Sequence, residues 1–205
     1  MLKRVGSLPR CAVIVVMAML ALTACGGSAP PPGPGTTSGS PPDLRGRRVM
    51  VLPVQQVVGI RGDPDAEVAF GLGERDVEVT WIFAAEIQEA LSRAPGVRAG
   101  VRGLPVGQFM TSEVRRVGDP LYGELRRLGS LVDAEAALIP VQASLVVEPG
   151  ASPTVRFWTA LIEVRTGRVL WFSVLDGQAF APEDPRGLAS AVDVVTRSLL
   201  WYAGA

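Results

Sequence analysis

The sequence predicts an α/β fold, an α+β sandwich in which a mixed β-sheet of about five strands is packed by about three helices. Three observations predict it. Short valine-rich runs read as buried strands, two apolar stripes at helical spacing each follow an Asp-Pro pair, and two β-rich runs flank the turn sequence "RTG". Taken in chain order these signals read β, α, β, α, β, β, β, α.

The folded body is expected to start near Asp43 and to span 43–205. "RRVMVLPV" (Arg47 to Val54) is a nearly continuous apolar run, as a strand buried on both faces requires. Gln55 to Val79 carries Gly59, Gly62, Gly71, Gly73 and Pro64, and it reads as a long loop with at most a short ordered piece. "TWIFAAEIQEALSRAPGV" has a helix pattern, with Phe83, Ile87 and Leu91 on one face and Glu86 and Glu89 on the other, stopped by Pro95-Gly96. Val97 to Val101 is a candidate short strand.

Asp119-Pro120 supplies an N-cap and a first helical residue, after which Leu121, Leu125, Leu128 and Val132 recur at helical spacing. "AEAALIPVQASLVVE" follows as a strand in which Pro140 cannot donate to a ladder, so Pro140 marks an edge, a bulge or a strand start. Thr154 to Val164 and Arg168 to Asp176 form a hairpin about a turn in which Gly167 takes positive φ. Asp184-Pro185 repeats the cap signal before a last stripe of Leu188, Val192, Val195 and Leu199.

The first 42 residues have a different character. Met1-Leu2-Lys3-Arg4 and Arg10 precede an uncharged apolar run from Cys11 to Ala24, the layout of a secretory signal over 1–24. The run is shorter than the roughly 20 residues of a membrane-crossing helix. Leu22-Thr23-Ala24-Cys25 resembles the bacterial lipobox, which implies cleavage before Cys25, a diacylglyceryl group on its thiol and fatty acylation of the new amine. The other reading of Cys25 is a small hydrophobe packed at the end of an uncleaved helix. Gly26 after the cysteine, by resemblance to lipoprotein sorting, implies the outer membrane with the domain facing the periplasm. "GGSAPPPGPGTTSGSPP" then holds no charge and no large apolar residue, so 25–42 reads as a lipidated cysteine and a solvated tether with no share in the core.

Loss of Lys3, Arg4 and Arg10 with the signal leaves 17 basic against 20 acidic residues, a net charge of −3. No basic stripe remains to neutralise phosphates, so nucleic acid is not an expected partner. The chain has no histidine, and Cys11 lies in the signal, which removes the usual acid-base, thiol and His/Cys zinc chemistry. No cofactor, no metal and no catalytic residue are expected. Asp63 and Asp65 in "RGDPDAE" read first as a solvated turn and only then as a calcium or carboxylate site. Trp158, Trp171, Phe157 and Phe172 read as cross-strand core before a ligand platform. Trp81 and Trp201 are expected to cover helix ends.

"RVMVLPV" at the front, "LVDAEAALIPVQASLVV" in the middle and "ALIEVRTGRVLWFSV" near the end together resemble a group of bacterial envelope domains. The group includes the N-terminal domain of TolB, the curli secretion lipoprotein CsgG and the penicillin-binding-protein activator LpoB. The resemblance covers most of Asp43 to Ala205, with Pro140 departing from it. It implies a membrane-anchored, non-catalytic lipoprotein that binds a protein partner in envelope assembly, transport or cell-wall synthesis.

The second reading is a subunit of a secretion pore of the curli type, and the third a hydrolase without a recognisable site. A pore needs paired strands of about 9 to 11 alternating residues. Gln55 to Val79 and Gly103 to Val117 are the insertions available for them, and neither alternates. Recognition is expected on the Gln55 to Val79 loop and any free edge of the sheet; the loop's apolar Val57, Val58, Ile60, Val68, Phe70 and Leu72 either meet the partner or dock back on the domain, with Val68, Phe70 and Leu72 the candidate binding residues.

Overall fold

A computed structural model describes residues 32–75 and 78–203; the apolar leader and Cys25 lie outside them. Seven strands form one mixed sheet: β1 (Thr37–Ser38), β2 (Arg48–Val51), β3 (Gln56–Val58), β4 (Thr80–Ile82), β5 (Ala136–Val146), β6 (Thr154–Glu163) and β7 (Val169–Asp176). Their order is β1-β7-β6-β5-β2-β4, with β3 lying parallel to the far half of β5. The helices are α1 (Pro64–Gly73), α2 (Ala84–Arg93), α3 (Gln108–Thr111), α4 (Leu121–Val132) and α5 (Arg186–Leu199).

Because side chains of a strand alternate between faces, the sheet carries two cores. Met50, Ile139, Ile162 and Phe172 face α2, α3 and α4, meeting Ile87, Phe109, Leu125 and Leu128. Val49, Val51, Leu138, Leu161 and Trp171 face α1 and α5, meeting Val68, Leu72, Val192 and Leu199. Burying each such side chain is worth roughly 1.5–3 kcal/mol. The α/β sandwich is therefore as the sequence predicts, with helices on both faces, and the described residues hold seven strands and five helices where about five and three were expected.

Pro140 lies inside the sheet, at a bulge. The β5–β6 register shifts between Pro140 and Gln142, and the alternation reverses there: Ala137, Ile139 and Val141 share one core, whereas Ala136, Leu138 and Ala143 share the other. On the opposite edge of β5 the chain also changes course. Leu52 N–H donates to Leu138 O at 3.0 Å, Gln55 N–H donates to Pro140 O at 2.9 Å, and β3 then resumes pairing at Gln142. The residue without a donor sits where its neighbour strand bends away around Pro53.

Both Asp-Pro pairs stand at helix starts, but one residue earlier relative to the helix than expected: Pro120 and Pro185 take the N-cap positions, and each aspartate caps from the residue before. Asp119 Oδ1 accepts from Gly123 N–H at 3.0 Å at the head of α4. Asp184 Oδ1 accepts from Arg186 N–H at 3.0 Å at the head of α5. At the "RTG" turn Gly167 has φ +71 and its N–H donates to Glu163 O at 2.9 Å.

Four expectations are corrected. Gln55–Val79 is not a loop: it contains β3 and all of α1. Thr80–Ile82 is strand rather than the first turn of a helix, since Thr80, Trp81 and Ile82 pair in parallel with β2 and α2 begins after Phe83. Val97–Val101 is not a strand, because its end is held by a side chain: Gln55 Nε2 donates to Val101 O at 3.0 Å, and Gln55 Oε1 accepts from Leu104 N–H at 3.1 Å. Finally, Thr37–Ser38 of the expected free tether is a strand, paired antiparallel with β7.

Candidate functional site

Helix α1 starts because Asp63 Oδ1 accepts from Asp65 N–H at 3.0 Å and Ala66 N–H at 3.1 Å, and because Pro64 occupies the first turn. Asp65 is spent on the scaffold as well. Its Oδ1 accepts from Val54 N–H at 2.6 Å and its Oδ2 pairs with Arg102. The two carboxylates that read as a solvated turn are thus a helix cap and a brace, with Asp63 Oδ1 and both oxygens of Asp65 engaged.

The helix separates the three candidate recognition residues. Val68 and Leu72, four residues apart, point inward at 8% and 0% exposure, whereas Phe70 points outward at 62%. Of the two alternatives, Val68 and Leu72 dock back into the core, and Phe70 alone of the three reaches solvent. Cys25, the expected lipid attachment residue, lies outside the described residues.

Phe70 borders a groove of about 460 Å³ between α1 and α5. The helices approach closely there because Gly71 has no side chain; a Cβ would stand 2.7 Å from Val192 Cγ1. Arg75, just after α1, donates to Asp193 of α5 at 2.9 Å and so ties the two helices at one end, while Arg197 pairs with the same carboxylate from within α5 at 2.6 Å. Glu67 and Glu74 line the groove with no ion-pair partner among the described residues, so its rim is acidic.

A second apolar exposure lies at β3. Val57 is 47% and Val58 52% exposed. Consecutive strand residues face opposite sides of a sheet, so the sheet is uncovered on both faces here. The cause is length: β5 and β6 run past the end of β2, and β3 lines β5 only beyond that point. Val147, 66% exposed, follows directly on β5. Among the described residues β3 pairs with β5 alone, which leaves its outer backbone groups without a strand partner there.

The aromatic residues weighed as a platform are mostly core. Trp171, Phe157 and Phe172 are 0%, 1% and 4% exposed, and Phe172 stacks on Phe109 with ring centroids 5.7 Å apart. Trp158 is partly buried beneath the Arg156 guanidinium. Trp81 lies in β4 rather than at a helix end, and Trp201 is 64% exposed with its Nε1 donating to Pro41 O at 2.9 Å. No group of three His, Cys, Asp or Glu residues is placed to hold a metal among the described residues. Asp43, Glu163 and Asp184 are held below the usual carboxylate range by hydrogen bonds from Arg45, Thr166 and Arg186 respectively. Each donor is two or three residues along the same turn, which is the chemistry of turns and caps.

Sequence reasoning named Val57 and Val58 and a free sheet edge separately, and missed that Gln56–Val58 is itself an edge strand. Its signal was the β-branched pair Val57-Val58 before Gly59, hidden inside a segment dominated by glycine and charge.

No family model matches the chain, and no curated protein matches it. Among solved structures, the C-terminal domain of LpoB from Salmonella enterica aligns over 68% of this chain and 87% of its own, with 16% identity and a TM-score of 0.45. A PelC dodecamer from Paraburkholderia phytofirmans aligns over 80% and 97%, with 15% identity and a TM-score of 0.43. The LpoB C-terminal domain from Escherichia coli aligns over 64% and 82%, with 18% identity and a TM-score of 0.38. Similarity at this level assigns no function, and the functional reading rests on the chain's own residues.

Proposed function

We propose that the chain is a non-catalytic envelope lipoprotein. It is anchored through Cys25 in the outer membrane, faces the periplasm, and binds a protein partner in envelope assembly, transport or cell-wall synthesis. The anchor reading rests on Leu22-Thr23-Ala24-Cys25 after an uncharged apolar run. The binding reading rests on one observation above the rest: β3 is an edge strand that exposes Val57 and Val58 on both faces of the sheet. Such edges are ordinarily blunted by charge, proline or a covering element, and an open one suits the addition of a partner strand.

The anchor is tested by Cys25→Ala, which is expected to abolish labelling by a radiolabelled fatty acid and to leave uncleaved precursor. Unchanged labelling overturns it. The recognition surface is tested by crosslinking and pull-down from the native envelope, comparing the wild-type chain with Val57→Lys and, separately, Phe70→Ser. Loss of the wild-type partner on Val57→Lys, with an unchanged melting temperature, supports the edge. Capture that survives Val57→Lys but fails with Phe70→Ser moves recognition to the groove between α1 and α5. Survival of capture in both variants overturns both surfaces.

A further inference from the structure

The segment before the core is held on the β7 edge by its backbone. Gly35 N–H donates to Val174 O at 2.8 Å, and Val174 N–H donates to Thr36 O at 2.9 Å. Thr37 and Ser38 stand opposite Ser173 and Phe172. Gly39 then turns the chain at φ +75, so near β7 that a Cβ would meet Leu170 O at 2.5 Å. Pro41 O accepts the Trp201 indole N–H. Leu44, fully buried, is the first residue of the core.

No residue from 32 to 43 carries a large apolar side chain. The segment therefore gains hydrogen bonds but almost no hydrophobic burial. A solvent-accessible hydrogen bond returns about what ordering one residue costs, and Gly35 and Gly39 lose more conformational freedom on ordering than any other residue type. β7 differs completely, since Trp171, Phe172 and Val174 bury it in both cores. An element with few buried contacts, laid on one with many, opens without the rest.

We propose that residues 35–42 form a reversible strap on β7. Docked, the strap closes that edge of the sheet against other chains. Released, it returns its residues to the tether. The consequence for reach rests on the anchored reading: the chain between Cys25 and the domain spans at most about 30 Å with the strap docked and about 55 Å with it released, at roughly 3.1 Å per residue of extended chain. A single local equilibrium then sets how far from the membrane the recognition edge can work.

The test is amide hydrogen exchange, resolved to single residues, on the full chain in detergent. The Gly35 and Val174 amides are expected to exchange at least 100-fold faster than those buried in β6. Gly39→Val is expected to quicken Val174 about tenfold more while β6 is unchanged. Trp201→Phe, which removes the indole donor without touching the backbone, is expected to quicken Gly35 and Val174 in the same selective way. Exchange of Gly35 and Val174 at the rate of β6 overturns the proposal, because the segment is then a permanent strand. So does a Trp201→Phe variant that leaves both amides unchanged, or one that quickens every amide alike. The same pattern is expected in Cys25→Ala, so loss of the strap and loss of the anchor are told apart.

Discussion

Arg156 on β6 and Asp176 on β7 meet fork to fork, Nε to Oδ1 at 2.6 Å and the second nitrogen to Oδ2 at 2.8 Å. They are direct cross-strand partners, and the Arg156 side chain is only 12% exposed, with its guanidinium 5.8 Å from the centroid of the Trp158 ring. Two parallel charge-assisted bonds and an aromatic face use the planar guanidinium in a way an ammonium cannot. The pair closes the open end of the β6–β7 hairpin, level with Ser144 of β5 and, beyond it, Val58 of the β3 edge. Arg156→Ala is expected to cost about 1–2 kcal/mol, and Arg156→Lys to recover less than half of that. Urea unfolding of the three proteins measures both.

The approach of α1 to α5 depends on a missing methyl. Gly71→Ala places a Cβ within 2.7 Å of Val192 Cγ1. Overpacking of this kind costs about 1–3 kcal/mol, against a gain of about 1 kcal/mol in helix propensity. A net destabilisation is expected, together with a double mutant Gly71→Ala, Val192→Ala that is more stable than the sum of the single effects predicts. Additive costs in that cycle would show that the helices separate rather than clash.

Leu72 and Phe70, two residues apart on one helix, are expected to behave oppositely. Leu72→Ala empties a fully buried site in the core beneath α1 and is expected to cost about 2–5 kcal/mol. Phe70→Ala changes a side chain that is mostly in water and is expected to shift stability by less than about 0.5 kcal/mol. Thermal unfolding of the two variants separates scaffold from surface at this helix.

These two residues also show what was legible in the sequence. The "RTG" hairpin, the helix starts at Asp119-Pro120 and Asp184-Pro185 and the valine-rich β2 were readable because turn chemistry and periodicity are local. Asp63-Pro64 is the same cap signal a third time, but the helix after it alternates Val68, Phe70 and Leu72 and carries two glycines, so its period was masked. β1 was illegible for a deeper reason. Backbone pairing is available to any non-proline residue, and nothing in "TTSGS" tells a strand from a tether once burial is not the driving force. The β3 edge was hidden similarly, since its pairing to β5 depends on β2 ending early.

The turn at Thr166 gives a pH-dependent prediction whose sign is fixed by a short relay. Arg168 N–H donates to Thr166 Oγ1 at 3.2 Å, and the Thr166 hydroxyl donates in turn to the Glu163 carboxylate. That donation, with smaller help from Arg168 and Arg165 against the cost of desolvation, holds Glu163 below its ordinary value of 4.5. A carboxylate lowered on folding adds stability that is fully present above its unfolded value and is lost as pH falls through the folded one. Thr166→Val removes the hydroxyl and is expected to cost about 0.5–1.5 kcal/mol at pH 7. The gap between variant and wild type is expected to hold down to about pH 5 and to narrow as the medium is taken below 4.5, because protonated Glu163 no longer needs the donor. It does not vanish at low pH, since Arg168 N–H still loses its acceptor. Denaturant unfolding of both proteins at pH 7, 5 and 3 reads the gap directly, and a gap of constant size across that range would assign the whole effect to the Arg168 contact and none to Glu163.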